Sequence, residues 1–100
     1  MTEKTLRPSS KPLFPLGHIV ATPGALAALD LAGVAPEALL DRHVHGDWGD
    51  LSEGDRKLNG EALSAGERLL STYVLPGATR VWIITEADRS ATTLLLPSDY

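Results

Sequence analysis

The chain of 100 residues contains no cysteine, which excludes a disulfide framework, a thiolate nucleophile and a cysteine-type zinc site. Its longest apolar run is far shorter than the roughly 20 residues that cross a bilayer, and its first residues, MTEKTLRPSSKP, lack the apolar core of a signal peptide. We therefore expect a cytoplasmic protein without a membrane partner, held together by packing and hydrogen bonds.

Motifs that bind nucleotides or activate a serine are also absent. The sequence has no G-x-x-x-x-G-K-[ST] loop, no G-x-G-x-x-G loop and no G-x-S-x-G elbow, so we expect no cofactor and no serine triad. Positive charge is scarce, because residues 13–100 carry six basic against twelve acidic side chains. A body of that sign repels phosphate backbones, so nucleic acid is disfavoured except as the substrate of a ribonuclease.

The periodicity of the remaining residues predicts an α+β fold. Residues 1–12 are rich in polar residues and proline, which is typical of a disordered tail, and residues 13–100 are predicted to form one domain. Thr22-Pro23 is a helix start, and the helix should run to about Leu31. Three further local elements are predicted: a short strand or an extended lead-in over Leu16–Ala21, a helix from Pro36 through His43, and a short polar helix from Ser52 to Lys57 or Leu58.

Beyond Glu67 the hydrophobic period becomes two, which indicates strands. Pro76-Gly77 is a turn signal, and the strands predicted around it form a three-stranded antiparallel meander over residues 68–75, 79–86 and 91–96. Alternation places Trp82 and Ile84 on one face of the middle strand and Val81 and Ile83 on the other. Helices packed in a second layer cover only one face, so the other would meet the N-terminal segment or a second copy of the chain.

The end of the second predicted helix has some of the features of a metal site. His43, His45 and Asp47 have the H-x-H-x-D spacing with which some metallohydrolases begin a metal site, but Trp48 stands where a further histidine would follow. Two histidines at the end of a helix are explained by the helix dipole. The acidic loop that follows lacks the EF-hand spacing, so we expect no bound metal. We expect the Asp47 carboxylate to accept hydrogen bonds from N–H groups of the loop, and the Trp48 side chain to be buried.

Metal-independent cleavage of RNA needs a general base, an acid and donors for the phosphorane. The residues of those types, and hence the catalytic candidates, are His43, Arg68, Tyr73, Arg89, Thr92 and Thr93. The alternative is structural: the arginines pair with nearby acids, the threonines favour strands, and His43 caps its helix.

A tight polar corner between the last two strands is the second candidate site. With the tryptophan loop, it gives the candidate binding residues Asp47, Trp48, Glu86, Asp88, Arg89 and Ser90. The corner can equally be an ordinary solvated turn.

Four segments, FPLGHIVATPGAL, RHVHGDWGD, RLLSTY and VWIITEADRSATTLLLPSDY, resemble a small uncharacterised family of bacterial proteins of about this length. Its members are often encoded on plasmids, integrated elements and phage, and the resemblance covers Phe14–Tyr100. The family's R-H-x-x-G-D-W-G pattern retains His43 but does not require His45. The resemblance implies an accessory protein of mobile genetic elements.

Some relatives of that kind carry a label as a type I restriction-modification methylase subunit. Such a methylase needs a cofactor-binding glycine motif and an N-P-P-[YF]-like tetrapeptide on a much longer chain, and neither occurs here. Two hypotheses remain. The first is a non-catalytic protein-binding or regulatory module, acting on a protein partner or as a homodimer through the meander, and the second is a small endoribonuclease that uses His43.

Overall fold

The computed structural model describes residues 11–100, so the predicted tail over residues 1–12 lies almost entirely outside the described part of the chain. The fold is α+β, as predicted. Its elements in chain order are β1 (His18–Ala21), α1 (Pro23–Ala32), α2 (Pro36–Val44), α3 (Glu53–Ala65), β2 (Leu69–Val74), β3 (Arg80–Thr85), β4 (Ala91–Leu95) and a short 3-10 helix (Pro97–Asp99).

The first two helices begin and end where the sequence predicts. The Thr22 hydroxyl accepts a hydrogen bond from the Ala25 N–H at 3.1 Å, and Pro23 occupies the first turn of α1. Gly33 ends α1 in the left-handed conformation, with φ of 70°. The turn predicted at Pro76-Gly77 is also present, and Gly77 has φ of 92°.

The third helix is longer than predicted. The Ser52 hydroxyl accepts from the Asp55 N–H at 3.1 Å, so the predicted start is correct, but α3 continues to Ala65. The predicted end at Lys57 or Leu58 is wrong because the buried side of this helix is small and partly polar. It buries Asn59 and Ala62, which an apolar periodicity does not detect.

The sheet has four strands in the order β1-β4-β3-β2, which corrects the predicted three-stranded antiparallel meander. Strands β2, β3 and β4 do form antiparallel pairs. Strand β1 joins them by pairing in parallel with β4, with His18 opposite Ala91. The sequence predicted β1 only as a short strand or a lead-in, because the partner of an isolated four-residue strand lies far along the chain.

The helices cover one face of the sheet. The inward side chains of β3, Val81 and Ile83, belong to a core cluster that includes Leu29 of α1 and Leu40 of α2. A second cluster joins α2, α3 and the start of β2 through Phe14, Val44, Trp48, Ala62 and Leu69. The predicted alternation along β3 is therefore confirmed.

The opposite face of the sheet has no helical layer among the described residues. Trp82 lies there, with its ring centroid 5.7 Å from that of Tyr100. The Tyr100 hydroxyl accepts a hydrogen bond from Arg68 Nη1 at 3.0 Å, so the segment that follows β4 packs across this face. Apolar side chains at its margin stay exposed, among them Val20 and Val74.

Candidate functional site

His43 is placed by the end of α2 directly over the inner face of the sheet. Its side chain is fully buried. Nδ1 lies 2.6 Å from the Ser71 hydroxyl on β2, and Nε2 lies 2.9 Å from the Thr85 hydroxyl on β3. Both ring nitrogens are thus occupied by strand side chains, which corrects the interpretation of His43 as a helix cap.

The hydrogen bonds of this site have a single consistent direction. Thr92 donates to the Leu16 carbonyl oxygen at 2.7 Å, and its own oxygen lies 2.8 Å from that of Thr85. Since Thr92 has used its proton, Thr85 must donate to Thr92 and accept from His43 Nε2. Ser71 then donates to Nδ1. The imidazole is therefore the neutral Nε2–H tautomer, in a chain that runs from Ser71 to the Leu16 carbonyl.

Aromatic rings close the remaining sides of His43. Its ring centroid lies 5.2 Å from that of Phe14 and 5.8 Å from that of Trp48, both with edge-to-face geometry. Burial lowers the pKa of His43 to about 4, because the charged form loses its hydration. A neutral, enclosed imidazole whose two nitrogens are hydrogen-bonded does not present a base to a substrate.

The other catalytic candidates do not converge on His43. Thr93 pairs with Ile84 and so lies on the opposite face of the sheet. Arg68 lies beside Tyr100 and is 3.8 Å from Glu86. Tyr73 and Arg89 hold neighbouring loops in place, as described below. Thr92 belongs to the hydrogen-bond chain that ends at the Leu16 carbonyl oxygen.

Tyr73 faces the core, and its hydroxyl donates to the Asp47 carbonyl oxygen at 2.6 Å. Burial raises the pKa of Tyr73 to about 12, and the Arg42 guanidinium stacks 4.5 Å above its ring. Tyr73 therefore anchors the loop that follows α2, and its hydroxyl is not placed to act as a general acid.

The polar corner between β3 and β4 is a turn held by its own side chains. Arg89 has φ of 61°, and its Nη1 donates to the backbone oxygens of Glu67, Glu86 and Ala87 at 2.6, 3.1 and 3.2 Å. Its Nη2 donates to the Ala62 oxygen in the last turn of α3 at 3.3 Å, and its guanidinium lies 5.7 Å from the Phe14 ring centroid. Phe14 thus contacts both Arg89 and His43.

Asp88, the second acid of the corner beside Glu86, is exposed. Asp88 Oδ1 accepts from the Ser90 N–H at 3.0 Å, and hydrogen bonds from Ser90 hold the pKa of Asp88 below its usual value. The carboxylate is therefore ionised at neutral pH. Glu86 contributes its N–H to the Ala91 carbonyl oxygen at 3.0 Å, which continues the β3–β4 ladder.

The loop around Trp48 pairs with the free edge of β2. Asp47 accepts from Arg42 Nε at 2.7 Å, which holds the pKa of Asp47 below its usual value, and its Oδ1 accepts from the Gly49 N–H as predicted. Trp48 is buried, also as predicted. Its carbonyl oxygen accepts from the Thr72 N–H at 3.0 Å, and the Asp50 N–H donates to the Thr72 oxygen at 2.7 Å.

Asn59 of α3 completes the protection of this edge. Its Nδ2 donates to the Leu70 carbonyl oxygen at 2.6 Å, and its Oδ1 accepts from the Leu70 N–H at 3.2 Å. The side-chain amide thereby replaces one residue of a neighbouring strand. The outward backbone groups of Leu70 and Thr72 are all satisfied, so β2 does not accept another strand there.

The other edge of the sheet, β1, has no neighbouring strand among the described residues. His18 donates to the Ser90 oxygen at 2.9 Å and Thr22 to the Leu94 oxygen at 3.0 Å, so the even-numbered N–H groups of this stretch point to β4. N–H groups alternate along a strand, and those of Ile19 and Ala21 therefore point away from the sheet. Among the described residues they have no hydrogen-bond partner. Ile19 and Val20 are 47% and 40% exposed.

Sequence reasoning missed the partners of His43 and the open edge. Ser71, Thr85 and Thr92 each occupy an inward position on a strand whose other inward residues are apolar. Three buried hydroxyls on the same face of the sheet require a polar partner, and the buried His43 side chain supplies it. The alternation that points these three hydroxyls inward was visible in the sequence. The position of β1 at an edge of the sheet was not, because it depends on which strands lie beside it in the fold.

Residues 11–100 contain no group of three or more His, Asp or Glu side chains placed to hold a metal ion. In the same range no single helix is long and apolar enough to cross a membrane, and α1 and α2 pass that test only as a pair bent by 104°.

Comparison with known proteins gives no match. No protein-family model, no curated protein and no solved structure is significantly similar to this chain.

Proposed function

We propose that this chain is a non-catalytic protein-binding module, an accessory protein of the mobile-element type that its sequence resembles. The observation that carries the proposal is the contrast between the two edges of the sheet. The β2 edge is closed at Leu70 and Thr72 by Asn59 and by the loop at Trp48, whereas among the described residues β1 keeps two outward N–H groups and exposed apolar side chains. Such an edge is a template for another polypeptide.

The geometry of His43 weakens the ribonuclease hypothesis. A general base must come within hydrogen-bond reach of the proton that it takes, and His43 is enclosed by the sheet and two aromatic rings. Arg68 and Thr93 lie elsewhere, and no observation on the described residues favours cleavage of RNA.

The test compares the intact chain with two variants in which an exposed apolar residue becomes lysine. Ile19→Lys places a charge on the open edge, and Leu58→Lys places one on α3 as a matched control, since Leu58 is 61% exposed. Each protein is immobilised and exposed to bacterial lysate, and retained proteins are quantified by mass spectrometry. We expect the same proteins on the intact chain and the Leu58 variant and a loss on the Ile19 variant.

Retention of no protein by the intact chain, or equal retention by all three, would contradict the proposal. Purified chain is also incubated with total RNA, beside a His43→Gln variant. Cleavage that disappears in a His43→Gln protein of unchanged circular dichroism would establish the ribonuclease instead.

A further inference from the structure

The open edge has a definite hydrogen-bonding capacity. Ile19 and Ala21 each direct one N–H and one C=O away from β4, because the register pairs the alternate residues with that strand. An extended segment laid beside β1 can bond both residues. The strand itself carries no charged residue, proline or bulge that would prevent this addition.

The side chains beside these groups are apolar on both faces. Val20 pairs with Thr93 and lies on the face without helices, whereas Ile19 pairs with Thr92 and lies on the helical face. Both are exposed, at 47% for Ile19 and 40% for Val20. An added strand would cover them with its own alternating side chains, so it should carry apolar or β-branched residues on both faces.

A carboxylate lies at each end of the strand. At the first end, Ser90 accepts from the His18 N–H and donates its own N–H to Asp88. At the other end, the Thr22 hydroxyl donates to Asp99 Oδ2 at 2.7 Å, which holds the pKa of Asp99 below its usual value. Both acids are exposed, and neither has an ion-pair partner among residues 11–100.

The length of the strand between these two carboxylates suits a short peptide. Four strand residues span about 13 Å at about 3.3 Å each. A segment of about six residues with a basic side chain at each end would therefore place one cation near Asp88 and one near Asp99.

The same charges disfavour a second copy of the chain on this edge. Two copies of β1 paired antiparallel about Val20 would place His18 opposite Thr22 of the other copy. Asp88 of each copy would then approach Asp99 of the other, at both ends. A four-residue edge also buries far less than the roughly 1,200 Å² of a stable interface, which suits a transient peptide contact.

We infer that β1 binds, by strand addition, an extended segment of a partner protein that has β-forming residues between two basic residues. This inference rests on the proposed protein-binding function and specifies its mode and the chemistry of its partner.

The probe is a displayed library of random hexapeptides, selected on the intact chain at low ionic strength. We expect enrichment of lysine or arginine at both ends and of β-branched or apolar residues between them. The most enriched peptide is then added to isotope-labelled protein, and amide hydrogen exchange is followed by NMR. At about 90% occupancy, exchange at Ile19 and Ala21 should slow about tenfold, because only the free fraction exchanges, and Val20, which faces β4, should change least.

Substitutions separate the backbone contribution from the charges. Ile19→Pro removes one outward N–H without removing a bond to β4 and should abolish binding, whereas Ile19→Val should retain it. Asp88→Asn and Asp99→Asn keep the acceptor oxygen used within the fold and should each weaken binding about two- to fivefold. Glu61→Gln is the matched control and should change nothing. High salt should remove the difference between the intact chain and the Asp88→Asn and Asp99→Asn variants, but not the loss caused by Ile19→Pro.

Several outcomes would overturn the inference. Enrichment without terminal basic residues, no enrichment, or binding without protection at Ile19 and Ala21 would each exclude this mode, even if the lysate experiment still shows protein binding. A dimer in light scattering that Ile19→Pro dissociates would assign the edge to a second copy. A chain beginning at Lys11 whose Ile19 and Ala21 amides exchange faster would assign it to the first ten residues of the chain itself.

Discussion

The burial of His43 predicts how the stability of the protein depends on pH. Its pKa is lowered from 6.5 to about 4 in the folded chain, so between these values the unfolded chain binds more protons. Stability is therefore complete above pH 6.5 and falls as the pH is lowered toward 4. Because one pKa unit corresponds to about 1.4 kcal/mol, the loss attributable to His43 is about 3 kcal/mol.

The assay is urea unfolding of the intact chain at pH 7, 6, 5 and 4, compared with a His43→Gln variant. Glutamine is uncharged at every pH and leaves part of the Ser71–Thr85 bonding in place, so the variant should be less stable at pH 7 by about 1–3 kcal/mol. Its stability should then decline less than that of the intact chain. The advantage of the intact chain should therefore disappear as the pH falls, and at pH 4 it should be no more stable than the variant.

Other titrating groups do not produce this difference in pH dependence between the intact chain and the His43→Gln variant. His18 and His45 are present in both proteins, so their contributions cancel in the difference. Asp47, Asp88 and Asp99 have pKa values lowered from 3.8, so the stability that they contribute is lost only as the pH falls through still lower values. Equal slopes for the intact chain and the variant between pH 6.5 and 4.5 would refute the reasoning, as would a folded-state His43 titration near 6.5 by NMR.

Three further predictions concern residues that fix the sheet. Gly49→Ala should destabilise the chain by more than about 2 kcal/mol in urea unfolding, because φ is 76° and a Cβ would overlap the Thr72 carbonyl oxygen. Asn59→Ala should cost about 2 kcal/mol and speed amide exchange at Leu70, whose two backbone groups lose their partners. Thr92→Val should cost about 1–3 kcal/mol and disturb the His43 ring nitrogen shifts in NMR, because it interrupts the directed hydrogen-bond chain.

Matched controls separate these effects from general intolerance to substitution. Gly60→Ala lies in α3 with open space around it, and it should be neutral or stabilising by up to about 1 kcal/mol. Thr93→Val lies on the opposite face from Thr92 and should cost little. A Gly49→Ala protein as stable as the Gly60→Ala protein, unchanged exchange at Leu70, or unchanged His43 shifts would contradict the corresponding prediction.

Local chemistry was predictable from the sequence. The hydroxyl and proline at Thr22-Pro23, the turn at Pro76-Gly77 and the alternation along β3 each act over a few residues, and the structure has all three. Each of them depends on the conformational preference of its own residues.

Features that depend on distant partners were not predictable. The pairing of β1 with β4 joins His18 to Ala91, and nothing in the HIVA segment specifies that partner. The length of α3 was missed because Asn59 is buried through hydrogen bonds rather than through apolar contact. His43 was recognised as the histidine of interest, but its role depends on hydroxyls from three strands that come together only in the fold.

The amide of Asn59 sets the number of partners that this sheet can accept. An open-ended fibre grows only if every subunit offers two edges, one to receive a strand and one to continue the array. In the described part of the chain, Asn59 and the loop at Trp48 satisfy the outward groups of Leu70 and Thr72 on one edge, and β1 supplies the other edge. Most of the β2 edge is thereby unavailable to another strand, so the sheet favours addition of one strand at β1 over growth in both directions.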